Sequence, residues 1–254
     1  METPEYQRMR EAEEQHWWYA GLHDLVIRWT QREAARLPHP LDILDAGCGT
    51  GRLAQLLQPF GNVAACDRHP LALAATTRRG VQRVFPCDLM TAALEAETYD
   101  VITCMDVLYH RAVTATSTVL QNLQRALKPG GLLLVQVPAF ECLRGAHDVA
   151  VHTRRRFRRR ELAHLLHSAG LQLEFSSYRL PLCFVPALLW RQASRHRLAR
   201  EPDGSDIARP CPAGLNHWLL RLLQRENRLL LAGWRLPFGT SLFASARKRP
   251  HPGR

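Results

Sequence analysis

No C-x-x-C pair occurs among the seven cysteines, which stand at positions 48, 66, 87, 104, 142, 183 and 211. Their odd number and wide spacing argue against a disulfide framework and against a zinc site, and they fit a reducing compartment. Long apolar runs are also missing. A bilayer span needs roughly 20 apolar residues, whereas the longest candidate, Leu180 to Trp190, is interrupted by Pro181 and Pro186. Met1 to Glu14 is polar and charged where a signal peptide would be apolar. The expected location is therefore cytoplasmic, with membrane contact at most peripheral. Lysine is nearly absent, since Lys128 and Lys248 are its two occurrences among 34 basic residues. No internal repeat is seen.

What remains describes a folding chain. Its 254 residues are 46% hydrophobic and 22% charged, close to globular averages and far from the disordered regime. The net charge of +11 is unevenly spread: 11 arginines face Glu161 and Glu174 between His152 and Arg200. The basicity is a patch, which leaves room for a phosphate-bearing, lipid or nucleic-acid partner.

Leu22, Leu25, Val26 and Trp29 recur at helical spacing, which predicts a helix from about Trp18 to Leu37, stopped by Pro38 and Pro40. Short apolar strands follow at 41–44, 62–66, 83–86, 101–104 and 132–137, with helices between them at 53–58, 70–79 and 112–127. Such alternation implies a parallel sheet covered on both faces. A helix at 160–169, a strand at 171–178, the Pro-interrupted apolar segment, a polar loop through Pro202 to Pro212, a Leu-rich helix at 216–231 and a strand at 241–246 complete the chain. The expected fold class is α/β: a doubly wound, Rossmann-like, mostly parallel seven-stranded sheet with helices on both faces. Residues 1–40 form a helical lid, 41–178 a core, and 179–254 a helical insertion plus the last strand of the same domain.

Leu41 to Gly51 is an apolar strand ending in Asp45 and a loop with glycine at 47, 49 and 51. The spacing is G-x-G-x-G, not the G-x-G-x-x-G of dinucleotide folds. Asp45 would repel a pyrophosphate but suits a ligand bearing an ammonium group. This stretch resembles the first motif of class I S-adenosylmethionine-dependent methyltransferases. Asp67, Cys87-Asp88-Leu89, the segment Tyr99 to His110, and Leu127-Lys128-Pro129-Gly130-Gly131 resemble that family's later motifs in the same order. The resemblance implies S-adenosyl-L-methionine as cofactor, with Asp45, Gly47, Cys48, Gly49, Gly51, Asp67, Arg68, Asp88, Leu89 and Met105 around it. Asp67 would take the ribose hydroxyls, with capping of the helix that follows as a role that could replace this or coexist with it; Asp88 would receive the adenine amino group.

His16-Trp17-Trp18-Tyr19 resembles the opening of a bacterial sub-group of that family, its aromatics serving either as a lid over the cofactor or as anchors for the first helix. His147-Asp148 and His152-Thr153-Arg154-Arg155-Arg156-Phe157 look like the same sub-group's segment after the fifth strand. Asp106, Tyr109, His147, Arg154 and Arg155 are the expected substrate contacts, and His110 or His152 the expected proton acceptor. The arginine run 154–160 is read as a solvated start of a helix, a site for phosphate or lipid headgroups, or a nucleic-acid contact. His164 and His167 are assigned to a helix surface, and no metal is expected. Methyl transfer is a direct displacement in which orientation dominates. The acceptor is a small molecule, a glycan or a lipid-linked compound, methylated on oxygen or nitrogen. RNA methylation and a non-catalytic cofactor-binding module are the alternatives, and a homodimer or an anionic membrane surface are further candidate partners.

Overall fold

The computed structural model describes residues 10–194 and 211–250. In chain order the elements are α1 (Trp17–Ala34), β1 (Leu41–Ala46), α2 (Arg52–Leu57), β2 (Gly61–Asp67), α3 (Pro70–Arg78), β3 (Arg83–Pro86), β4 (Tyr99–Met105) and α4 (Thr116–Ala126). They continue with β5 (Leu127–Pro138), α5 (Ala146–Ala150), α6 (Arg159–Ser168), β6 (Leu171–Arg179), α7 (Pro181–Ser194), α8 (Ala213–Leu231) and β7 (Ser241–Lys248). One seven-stranded sheet has the order β3-β2-β1-β4-β5-β7-β6. All neighbours are parallel except β7, which runs antiparallel to both β5 and β6.

The pleat sends alternate residues to opposite faces, and both faces are buried. Leu44, Ile102, Leu133 and Val135 face one core with Leu120 and Leu123 of α4 and Leu162 and Leu166 of α6. Ile43, Val101, Leu132 and Leu134 face the other with Leu25, Val26 and Trp29 of α1, Leu57 of α2 and Leu230 of α8. The central strands β1, β4 and β5 are therefore buried along most of their length, whereas β3 and the start of β6 are partly exposed. The chain winds from β1 outward to β3, then crosses back to β4 beside β1. The crevice at the carboxyl ends of β1 and β4 is where such sheets bind ligands.

Three elements differ from the sequence expectation for identifiable reasons. Helix α1 ends at Ala34 because Pro38 lacks an N–H for the Ala34 carbonyl and disfavours helical angles at the residue before it. Strand β5 begins at Leu127, paired with Tyr99, so the Lys128 to Gly131 turn lies within it. Gly130 has φ +79, but Gly131 is needed for closeness, as a Cβ there would stand 2.9 Å from the Lys128 carbonyl oxygen. The Pro-interrupted segment is a helix, α7, with Pro181 at its start and Pro186 inside at the loss of one hydrogen bond. Most of the expected polar loop, Pro202 to Pro210, lies outside the described residues. Among the described residues no helix is long and apolar enough to cross a membrane.

Candidate active site

A cavity of about 1090 Å³ opens at the carboxyl ends of β1 to β4. Asp45, the penultimate residue of β1, accepts a hydrogen bond from Thr103 Oγ1 on the neighbouring strand at 2.7 Å. Its other oxygen, Oδ2, is buried with no hydrogen-bond partner. Burial, with the charge of Asp67 adding to it, pushes this carboxyl up to about 6. The loop then turns tightly, the Gly47 and Cys48 amides both donating to the Cys66 carbonyl. Gly47 and Gly51 both have φ +80, and a Cβ on them would meet Val107 at 2.4 Å and Thr76 at 2.5 Å. Both glycines make room for the protein's own side chains, and Gly47 also lines the cavity. Gly51 starts α2 and does not line the cavity.

Asp67 ends β2 and lines the cavity. It accepts from the Gly49 amide at 3.1 Å and from the His69 amide at 2.9 Å, so it ties the glycine loop to the turn after β2. The cap of α3 is His69, whose Nδ1 accepts from the Leu71 amide, and not Asp67. Arg68, Asp88, Leu89 and Met105 line the same end, with Asp88 fixed by the Met90 amide at 3.0 Å. The roof is made by residues 13–19. Glu13 accepts from Thr50 Oγ1 in the glycine loop and stands 3.6 Å from Arg79. Burial pushes Glu13 up to about 7, despite both partners. Trp17, Trp18 and Tyr19 line the cavity, and Trp18 also packs on the core.

At the opposite end two loops run side by side: the Arg111 amide donates to the His152 carbonyl and the Arg154 amide to the Tyr109 carbonyl, both at 2.8 Å. This pairing puts the His110 and His152 rings edge to face, with centroids 5.8 Å apart. His110 Nδ1 accepts from the Ala112 amide at 3.0 Å, so the proton of the neutral ring sits on Nε2. Burial, reinforced by neighbouring positive charge, pulls it down to about 4. His110 lines the cavity with Nδ1 already committed to the Ala112 amide. Asp106, Tyr109, His147 and His152 line this end.

Arg154 and Arg155 do not line it. Arg154 donates to the Thr114 carbonyl, and Arg155 pairs with Glu161 at 2.6 Å and lies over the Phe157 ring. Arg156 is the member of the run that lines the cavity. It is half-buried and grips Asp148 with two nitrogens at 2.9 and 3.1 Å, with a third contact to the Ala139 carbonyl at 2.9 Å. These contacts hold Asp148 well below the ordinary carboxylate range. Arg154, Arg155 and Arg156 are thus engaged within the protein, whereas Arg158 and Arg160 are exposed.

The family described as Methyltransferase domain matches residues 16–174. The chain belongs to that family. A ubiquinone biosynthesis O-methyltransferase from Xanthomonas axonopodis pv. citri is 32% identical over 205 residues, covering 70% of this chain and 82% of that one. Another, from Burkholderia thailandensis, is 30% identical over 189 residues, covering 62% and 78%. A SAM-dependent methyltransferase from Thermotoga maritima has the same fold, with a TM-score of 0.58 at 17% identity over 97% of this chain and 96% of that one. The 1,6-didemethyltoxoflavin-N1-methyltransferase of Burkholderia thailandensis, solved with S-adenosylhomocysteine, has a TM-score of 0.51 at 22% identity over 87% and 76%.

This methyltransferase uses S-adenosylmethionine, and its residues fit that cofactor. The unpartnered Asp45 oxygen is a buried acceptor awaiting a cationic donor, which the cofactor's ammonium supplies. Asp67 has lone pairs left for hydroxyls, and the aromatic roof offers faces to a sulfonium. Sequence reasoning missed four residues of the site or its support: Glu13, Gln136, Arg156 and Arg179. Gln136 and Arg179 did carry a signal, being polar side chains near the ends of apolar strands.

Proposed function

We propose that the methyltransferase methylates an oxygen of an acceptor with a large apolar portion, a small molecule or a lipid-linked compound. The observation that carries this reading is the acceptor end of the cavity, where Val113, Leu143 and Val151 meet Ala187 of α7 and Leu215 of α8 beyond the polar group around Asp106. The relatives named for ubiquinone biosynthesis, about 30% identical, favour oxygen as the receiving atom. The cofactor supplies a methyl carbon open to direct displacement. The chain's part is to orient the two reactants, exclude water, and receive a proton.

Helices α7 and α8 extend the reading to the acceptor's source. Both reach the cavity, and both expose apolar side chains: Leu182 is 64%, Leu189 62% and Trp218 59% exposed. Arg221, Arg225 and Arg228 are exposed along α8, whereas Glu226 turns inward toward Arg179. Apolar anchors beside arginines suit the headgroup layer of an anionic bilayer, where a lipid-linked acceptor would be met.

Methyl-labelled cofactor, purified protein and separate pools of isoprenoid-substituted phenols, glycans and RNA test the reading. Label is expected in the phenols. Label confined to RNA or to glycans would overturn it.

A further inference from the structure

Arg179, at the end of β6, is 1% exposed, yet it has no close carboxylate partner: Glu226 Oε1 stands 3.8 Å from its Nε. That Nε makes no hydrogen bond. One terminal nitrogen donates to Gln136 Oε1, and the other to Asn227 Oδ1 at 3.2 Å and the Gly21 carbonyl at 3.4 Å. A guanidinium can only donate. Gln136 must therefore turn its oxygen to Arg179 and its Nε2 the other way, where it donates to Asp106 Oδ2 at 2.8 Å. The Gln136 carbonyl also receives the Asp106 amide at 2.9 Å, which holds Asp106 at φ +53, an uncommon conformation that Asp tolerates. Oδ2 is thus committed as an acceptor. Oδ1 makes no hydrogen bond to any described residue, and Asp106 lines the cavity.

Resting on the reading of a hydroxyl acceptor, we propose that Asp106 takes the hydroxyl proton on Oδ1 and that Arg179, through the Gln136 amide, is the positioning residue that holds it there. The acceptor oxygen forms its bond to the methyl carbon as the carbon–sulfur bond breaks, with that electron pair returning to sulfur. The hydroxyl proton passes to Asp106 Oδ1. The groups facing Asp106 are Gln136 from β5, Arg179 from β6, Tyr109 after β4, and Arg156 with its partner Asp148. Arg156 is fully engaged by Asp148 and Ala139, so it does not displace the amide. Burial pushes Asp106 up to about 6 against the pull of the two arginines. It is ionised at neutral pH and basic enough to receive a proton, unlike His110.

Carbon-13 NMR of aspartate carboxyls in the full-length free protein reads the relay without a substrate, the Asp106 signal being assigned by its loss in Asp106→Asn. The wild-type signal should titrate near 6. In Gln136→Glu, which pairs with Arg179 but cannot donate, it should move up by about one pH unit or more. Gln136→Met, which removes the donor without adding charge, should move it the same way and serves if the first variant fails to fold. With an isoprenoid-substituted phenol and labelled cofactor, the acid limb of kcat should follow that shift. Asp106→Asn should lower kcat by about 10²- to 10⁴-fold, with S-adenosylhomocysteine affinity within about threefold of wild type. Asp106→Asn retaining more than about a tenth of kcat, or a signal and acid limb unmoved in both Gln136 variants, would overturn the proposal. If the wild type methylates no hydroxyl compound, the acceptor reading fails, and the carboxyl titration alone upholds or sinks the relay.

Discussion

Asp45 holds one oxygen on Thr103 and leaves the other buried without a partner. A hydrogen bond to a charged group contributes about 1.5 to 3 kcal/mol, so Asp45→Asn is expected to weaken S-adenosylhomocysteine binding by roughly 10- to 100-fold. Only the ionised carboxylate pairs with an ammonium. Because burial has raised this group to about 6, affinity should be full above that pH and fall as pH drops through it. Calorimetric titrations between pH 5 and 8 would check both. Asp67→Ala and Gly49→Ala should each weaken binding similarly while circular dichroism stays native, Gly49 because its φ of +54 strains any side chain. Unchanged affinity in all three variants would mean that the cofactor lodges elsewhere.

The motif order of the cofactor end was legible because each element sits at the carboxyl end of its own strand: Asp45 on β1, Asp67 on β2, Asp88 after β3. Local sequence is enough when chain order and spatial order coincide. The acceptor end was less legible because its groups meet across the fold. Arg156 finds Asp148 in α5, Gln136 on β5 reaches Asp106 after β4, and Arg179 on β6 stands behind both. No spacing rule predicts which arginine of the 154–160 run turns inward.

At the scale of elements, α1 and α8 cross closely enough that a Cβ on Gly21 would lie 2.4 Å from Leu223 Cδ1. Asn227 donates to the Gly21 carbonyl at 2.8 Å at the same crossing. Gly21→Val should force the helices apart and lower stability by roughly 1 to 3 kcal/mol, measured by urea unfolding. Since α8 also carries Asn227 to Arg179, that variant should loosen the acceptor end more than the glycine loop. The outer faces of α7 and α8 make a separate prediction. Leu189→Ser with Trp218→Ser should abolish co-sedimentation with vesicles rich in phosphatidylglycerol, and wild-type binding should weaken with added salt. Equal sedimentation of variant and wild type would remove these helices from any lipid contact.

For the molecule as a whole, two sets of titratable groups oppose each other in acid. Glu13, Asp45 and Asp106 are raised to about 7, 6 and 6. The stability they contribute is complete below their ordinary values and is lost as pH rises through the raised ones. His23 and His110 are lowered to about 4, so theirs is complete above 6.5 and lost as pH falls toward 4. Glu33 and Asp148, both lowered, act below the ordinary carboxylate range. The free protein should therefore show a nearly level Tm between about pH 4.5 and 6.5. Asp45→Asn removes one carboxylate from the balance, and its Tm should decline by roughly 2 to 6 °C on acidification across that range. Scanning calorimetry decides it; a level profile in both proteins would contradict the opposition.

Strand β7 follows β6 in sequence yet lies between β5 and β6, pairing with each along its length. During synthesis β6 cannot join the sheet until β7 has left the ribosome, while β1 to β5 can already assemble. Cleavage before Ser241 would orphan two strand edges at once and cut Arg179 loose, leaving the Gln136 amide that holds the pocket's acid without an anchor of its own.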